Sequence, residues 1–400
     1  MALVKFQDLR FREVDDGVEV RLYQFFLARL RREDLERIAS FKVVEEGIEF
    51  DCPEKRAERR LVLLLDRAFV ELKSLISGKK AIYVHRNSGI PLLGVNEFGI
   101  VDRGTNLIEV KPLTGCNLSC VYCSVSEGDN KKVVDFLVEE EYLVEGVEKV
   151  VGVKEHPVHI YINPQGEPLL YSRIVDLVRD VKSLTNVDSV SVNTNGVLLS
   201  KKLIDGLVDA GLDKINLSLN AMDKVLADKI SGKVYPLDHV LKMVAYAKDK
   251  IDIVIAPTII PGFNDDQVET LVRLAKGLKN RRFPSIGVQN FLNYKRGRNP
   301  VKERSFEEFD RMLAVVEKKT GVLLRKADLS FEIVNDLSPE KPFRKNDLVE
   351  CEIVAQGRYS GEVIAVAKDR CITVRGSSKS SGMIKVRIVR DKHNIFLGVV

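Results

Sequence analysis

The chain has no tryptophan and only six cysteines and five histidines in 400 residues, and it has no apolar run near the ~18 residues that a bilayer span requires. Cysteine this sparse excludes a disulfide framework, and the missing apolar runs exclude a bundle of membrane helices. The N-terminal stretch from Met1 to Asp16 is charged where a secretory signal needs an apolar segment, so the expected location is cytoplasmic. Internal repeats and low-complexity segments are also missing. What is present is 45% hydrophobic and 30% charged side chains, enough to bury a core in more than one domain. Abundant Lys, Arg, Glu and Val with little Gln match the composition of heat-adapted proteins.

The net charge of +5 is unevenly spread. Lys341 to Val400 hold twelve Lys and Arg against six Asp and Glu, a net of +6, which leaves 51 against 52 in the first 340 residues. A basic tail on a neutral body points to a polyanion partner for the tail.

Between Asn106 and Leu292, β-branched runs alternate with amphipathic stretches, the pattern of repeated βα units. Strands are predicted at Leu107 to Leu113, Val158 to Asn163, Val187 to Asn193, Lys214 to Leu219, Ile251 to Thr258 and Ile286 to Phe291. Helices are predicted at Glu139 to Val151, Ser172 to Leu184, Lys201 to Ala210, Leu237 to Lys248 and Asp265 to Leu278. The expected fold is α/β, a partial (β/α)6 barrel over 101–336 with its chemistry at the carboxyl ends of the strands. Residues 1–100 read as an α+β extension with helices at Gln24 to Ser40 and Glu54 to Ile76, and extended pieces at Phe41 to Phe50 and Ala81 to His85. The arginines at Arg29 to Arg32 and Arg56 to Arg60 read as solvated helix faces rather than RNA contacts. In 337–400, five short alternating runs separated by glycines predict a small all-β barrel of OB type.

The decisive segment is Cys116-Asn-Leu-Ser-Cys120-Val-Tyr-Cys123, just past the first strand of the series. Three thiolates at this spacing can converge on one 4Fe-4S cluster and leave its fourth iron without a protein ligand. That iron can chelate the amino and carboxylate groups of S-adenosylmethionine, and reductive cleavage then yields a 5′-deoxyadenosyl radical. Zinc is the alternative, but it normally recruits four ligands, and no fourth Cys or His lies nearby.

This CxxxCxxC, at this place in a βα series, resembles the radical S-adenosylmethionine superfamily. The resemblance runs from about Asn106 to Pro300 and implies site roles for further residues. Gly166 and Glu167, in Pro164-Gln-Gly-Glu-Pro168 after strand two, match the element that receives the methionine amino group. Asn193 and Asn195 belong to a matching Asn-Thr-Asn-Gly loop after strand three. Ser218 matches the position that meets the ribose, Gln289 the strand end near adenine, and Tyr122 the aromatic that packs near adenine. The tail resembles a TRAM domain through Lys345-Asn-Asp347, Gly357, Gly361, Ile372 to Val374 and Ile384 to Val389, with Ser377 to Ser381 in place of the usual Pro-Gly turn. A TRAM-like tail implies RNA binding, with Lys385, Arg387 and Arg390 at the late strand and Lys295, Arg296 and Arg298 in a second basic loop as contacts.

Only Cys52, Cys351 and Cys371 remain outside the triad, far apart in sequence. That is too few for the auxiliary clusters of methylthiotransferases and of cofactor- or peptide-modifying members. Segments around Phe98 to Asn106, Gly166 to Tyr171 and Gln289 to Arg298 resemble an archaeal group of the superfamily without a defined reaction. The expectation is a tRNA-modifying enzyme that acts on an unactivated carbon, with ferredoxin or flavodoxin as reductant. The candidate reaction is methylation of the threonyl side chain of threonylcarbamoyladenosine to give hydroxynorvalylcarbamoyladenosine. The competing readings are a radical enzyme of a protein or small metabolite, and a non-catalytic iron-sulfur RNA-binding protein.

Overall fold

The computed structural model describes residues 2–128, 132–325 and 333–400. Five parallel strands, Leu107–Lys111, Val158–Ile162, Val187–Thr194, Lys214–Leu217 and Asp252–Ile255, lie side by side in a six-stranded sheet. Its remaining strand, Gly99–Asp102, runs antiparallel on the outer edge of the first. The expected sixth parallel strand is reduced to Gln289–Asn290, which pairs with Thr258–Ile259, plus a single bridge from Ile286 to Ile255. Pro257 has no N–H to donate and separates that short pair from the main ladder. The sheet therefore curls into a partial barrel, as expected.

Helices Glu140–Val151, Ile174–Lys182, Lys201–Asp209, Leu237–Ala247 and Val268–Lys276 cover the outer face. In the first of them Leu143, Val147, Val150 and Val151, at i, i+4, i+7 and i+8, are buried, which is the stripe a surface helix needs. A further helix, Lys224–Ser231, was not anticipated. Asp223 caps it by accepting from the Leu226 N–H, and Gly232, at φ +67, ends it in the left-handed region.

The N-terminal extension corrects one expectation. Gln24 to Ser40 is not a helix: Phe26–Arg31 is a strand, and only one turn of helix, Arg32–Glu36, follows. Phe26, Ala28 and Leu30 point inward while Arg29 and Arg31 point out, a period of two that the arginine-rich composition masked. Helix Glu54–Phe69 forms as expected but ends before Ile76, where Lys73–Ser74 enters the sheet. This is a second six-stranded sheet, made of Leu9–Val14, Gly17–Leu22, Phe26–Arg31, Lys73–Ser74, Lys80–Val84 and, from beyond the cysteine segment, Val134–Val138. The two sheets thus exchange strands across residue 100, and one hydrophobic core runs through both.

At this seam lies Glu140, its side chain 1% exposed, with Arg173 Nη2 3.6 Å from Oε2 but no hydrogen bond to either carboxylate oxygen among the described residues. Burial, with Asp180 and Glu141 adding repulsion, lifts its carboxyl from 4.5 to about 7. The folded chain holds this proton more tightly than the unfolded chain, so stability is lost as pH rises from 4.5 towards 7. Glu140→Gln is expected to remove that slope and raise stability at pH 8 by roughly 1–3 kcal/mol. Thermal midpoints at pH 5 and pH 8 decide the matter; an advantage equal at both would refute it.

The tail closes into a five-stranded barrel of Leu348–Gln356, Glu362–Ala367, Arg370–Arg375, Gly382–Arg390 and Leu397–Val399. Val349, Cys351, Ile353, Ile384, Val386 and Ile388 fill it, and Phe343 and Phe396 meet edge to face at 5.2 Å. Cys351 and Cys371 are buried core residues. The tail joins the body where Cys371 N–H donates to Leu93 O and Phe396 N–H to Gly94 O. A Cβ on Gly94 would sit 2.1 Å from Cys371 O, so only glycine allows this approach.

Candidate active site

The first strand leads into Thr114–Gly115, which pairs in parallel with Gln165–Gly166. The residues just before Cys116 and just before Glu167 are thereby strapped together. A Cβ on Gly166 would lie 2.0 Å from Gly115 O, closer than any real contact. Gly166→Ala should therefore force the strap apart at a cost of about 1–3 kcal/mol, read as a lowered thermal midpoint. An unchanged midpoint would show that the strap is dispensable.

The cysteine loop is held by hydrogen bonds from three sides. Ser119 and Val121 N–H donate to Ser231 O and Ile230 O at the end of the unanticipated helix. Arg298 donates from Nη1 to Cys120 O at 2.8 Å and from Nη2 to Glu127 O, and its own N–H donates to Cys123 O. Leu118 N–H points at Cys116 Sγ (3.4 Å), and Glu127 N–H points at Cys123 Sγ (3.3 Å). Burial pushes the Cys116 thiol well up and the Cys120 thiol up to about 12. Thiols this desolvated ionise only against a compensating cation.

Glu167 is 2% exposed and accepts from Leu169 N–H (3.1 Å), Thr194 Oγ1 (2.6 Å) and Asn195 N–H (2.9 Å). Burial raises its carboxyl to about 7 despite these donors. In this structure it ties the end of strand two to the loop after strand three. Asn195 donates to Asn117 Oδ1 at 2.8 Å and lies 3.9 Å from Cys116 Sγ, while Asn193 donates to Asn163 Oδ1 at 3.1 Å. Cys120, Tyr122, Asn195 and Ser218 line one cavity of about 30 Å3. Sequence reasoning assigned no role to two residues there. Asn220 donates to Tyr122 OH (2.7 Å), and the Tyr235 hydroxyl donates to Asn195 O (2.7 Å). Asn220 was legible as a polar strand end, whereas Tyr235 carried no signal.

Gln289 stands apart from that cavity and lines the barrel lumen, a space of about 210 Å3. Alternation along the strands turns His159, Tyr161, Ser189, Ser191, Lys214 and Asn216 into it. Leu107, Val254, Ala256, Pro284 and Ile333 share the lining, so the lumen is a largely apolar space with a few polar groups turned into it, the mixture that suits a small ligand. Burial lowers the Lys214 amine to about 7, and it lies 4.7 Å over the Phe283 ring.

The six expected RNA contacts divide into two groups. Lys385, Arg387 and Arg390 are exposed on the outer face of the late tail strand, with Glu350 facing Lys385 across the ladder. In the other loop only Lys295 is exposed. Arg296 pairs with Glu362 and stacks 3.9 Å over Tyr359, and Arg298 is committed to the cysteine loop. Lys295, Arg296, Tyr359 and Arg375 line a cleft of about 540 Å3 between body and tail.

Residues 110–275 match the family model of the radical SAM superfamily. Over 384 residues the chain is 35% identical to an uncharacterised protein of Methanocaldococcus jannaschii, covering 88% of each. The chain belongs to the radical SAM superfamily. The GTP 3′,8-cyclase of Limosilactobacillus fermentum is 33% identical over 181 residues, 44% of this chain and 52% of the cyclase. This radical SAM chain thus spans about half the length of that relative. A structure of TYW1 with a lysine-pyruvate adduct bound overlaps 54% of this chain and 74% of TYW1, with TM-score 0.40 and 20% identity. SuiB of Streptococcus suis overlaps 79% of this chain and 69% of its own, with TM-score 0.42 and 15% identity.

The family uses a 4Fe-4S cluster and S-adenosylmethionine and relies on a reductant. Among the described residues, no three Cys, His, Asp or Glu side chains meet around a single-ion position. A cuboidal cluster asks for something else, one thiolate on each of three separate irons. Free thiols at Cys116, Cys120 and Cys123, with N–H groups aimed at two of them, fit that demand. No helix of the described residues is long and apolar enough to cross a membrane.

Proposed function

We propose that this radical SAM enzyme modifies RNA, with tRNA as substrate and an unactivated carbon as target. The observation that carries this reading is the closed tail barrel, docked beside the cysteine loop, with Lys385, Arg387 and Arg390 exposed along one strand. Its cations hold phosphates, and Lys295 adds an exposed cation at the cleft between body and tail. Cys116, Cys120 and Cys123 hold the cluster, which when loaded supplies the radical from S-adenosylmethionine. Gly166 admits close backbone approach, and Glu167 fixes the loop carrying Asn195. Tyr122 and Ser218 line the cavity beside Cys120, Gln289 lines the separate lumen, and Asn193 holds Asn163. The lumen's 210 Å3 has room for a side-chain-sized group, such as the reacting end of a hypermodified nucleoside.

The specific reaction assigned is methylation of the threonyl side chain of threonylcarbamoyladenosine, giving hydroxynorvalylcarbamoyladenosine. One S-adenosylmethionine would take a hydrogen atom from the side-chain methyl group and leave as methionine and 5′-deoxyadenosine. A second would give its methyl group and leave as S-adenosylhomocysteine, and the reductant would supply two electrons. The side-chain methyl group has no acidic proton and no lone pair, so nucleophilic transfer fails there and radical chemistry is warranted. Nucleoside mass spectrometry of tRNA from a strain lacking the gene is the test. Loss of the homologated nucleoside with build-up of its threonyl precursor supports the assignment, and an unchanged profile refutes it. RNA binding is tested separately by reversing Lys385, Arg387 and Arg390 to Glu. Affinity should fall, and the dependence of log K on log salt should flatten by about one unit for each phosphate no longer held. If tRNA binding is unaffected, the enclosed lumen with its few polar groups favours a small-metabolite substrate instead.

A further inference from the structure

Arg358 lies in the turn between tail strands Leu348–Gln356 and Glu362–Ala367, yet its side chain is only 1% exposed. It leaves the tail barrel and enters the body beside the cysteine segment. Nη1 donates to Thr114 Oγ1 at 2.8 Å, and also to Val134 O and Asp135 Oδ1. Nη2 donates to Glu127 Oε1 at 2.8 Å. Thr114 stands two residues before Cys116, Glu127 four residues after Cys123, and Asp135 in the strand that follows. One guanidinium therefore bonds to both limbs of the segment that carries all three thiols.

The charges around it balance. Lys132 Nζ pairs with Glu127 Oε1 at 2.5 Å, so two carboxylates meet two cations in a buried and neutral group. Pairing of this kind is what lets an arginine be buried at all, and the planar fork is what lets one side chain serve several acceptors. The connection to the thiols is short, since Glu127, which receives Arg358, directs its own N–H at Cys123 Sγ. Backbone pairing supports it, with Val133 N–H donating to Arg358 O at 3.0 Å and Lys132 bridging to Tyr359.

We infer that Arg358 is a positioning residue through which the tail barrel closes the neck of the cysteine loop and holds it in shape for the cluster. The tail is thereby part of the active-site scaffold as well as a docking surface. This inference rests on the family's cluster and not on the RNA reading, so the two fail separately.

The test uses full-length apoprotein and hydrogen exchange of its backbone amides. Arg358→Lys keeps the charge but loses the fork, and Thr114→Val removes a partner on the other side of the contact. Each should speed exchange across Leu118 to Glu127 by about tenfold or more, while Lys214–Leu217 and Glu362–Ala367 keep their protection. After reconstitution, Arg358→Lys should also shift the cluster's reduction potential or its electron paramagnetic resonance line shape. Unchanged exchange in the loop overturns the inference. Equal loosening of the tail strands also overturns it, because Arg358 would then be ordinary packing of the tail.

Discussion

Cys120→Ala is expected to abolish both the iron-sulfur spectrum and the reductive cleavage of S-adenosylmethionine. After anaerobic reconstitution, the parent chain should carry about four irons and the variant almost none. The reason lies in the number of ligands, because three thiolates are the minimum that leaves one iron open, and two leave a second iron unheld. The half-buried Cys120 lines a pocket whose wall includes Tyr122, Ser218 and Asn195. Alanine leaves that wall intact, so the fold should survive while the metal is lost. Iron content, absorbance and 5′-deoxyadenosine yield measure the outcome. A variant that keeps its spectrum and still forms 5′-deoxyadenosine would falsify the assignment of the triad.

Asp135→Asn is expected to destabilise the fold strongly, by about 3–5 kcal/mol. Asp135 is 1% exposed and accepts from Thr114 Oγ1, Ser77 Oγ and Arg358. Removing its charge leaves the buried group of Arg358, Lys132 and Glu127 with an uncompensated cation. Surface pairs such as Lys5 with Glu46 offer the contrast, because water screens them and their loss should cost under about 1 kcal/mol. Urea midpoints of Asp135→Asn and Glu46→Gln, measured side by side, check the claim. Equal midpoints would show that the buried network contributes nothing beyond a surface pair.

Much of the body was legible because its signals are local. Period-two runs and helical stripes located the five parallel strands and the helices over them to within a few residues, and glycine-broken alternation located the tail barrel. The helix expected at Gln24 to Ser40 failed where charge composition outweighed period. Phe26, Ala28 and Leu30 were the better guide. The helix Lys224–Ser231 escaped notice because it is short, although Asp223 and Gly232 bracket it with ordinary cap residues.

The sequence by itself determined the family and its cofactors, since CxxxCxxC is a contiguous motif whose spacing carries its meaning, while Gly166-Glu167 took its weight from its place at the end of strand two. Tertiary structure decided what each group faces. Arg296 and Arg298 read as RNA contacts from their basic loop, yet one pairs with Glu362 and the other braces Cys120 and Glu127. Arg358 carried no signal at all, because its partners lie 223 to 244 positions away in the chain. No local pattern encodes such a contact. It exists only because the sheets exchange strands and bring the tail turn against the neck of the cysteine loop, where a buried guanidinium requires carboxylates within reach.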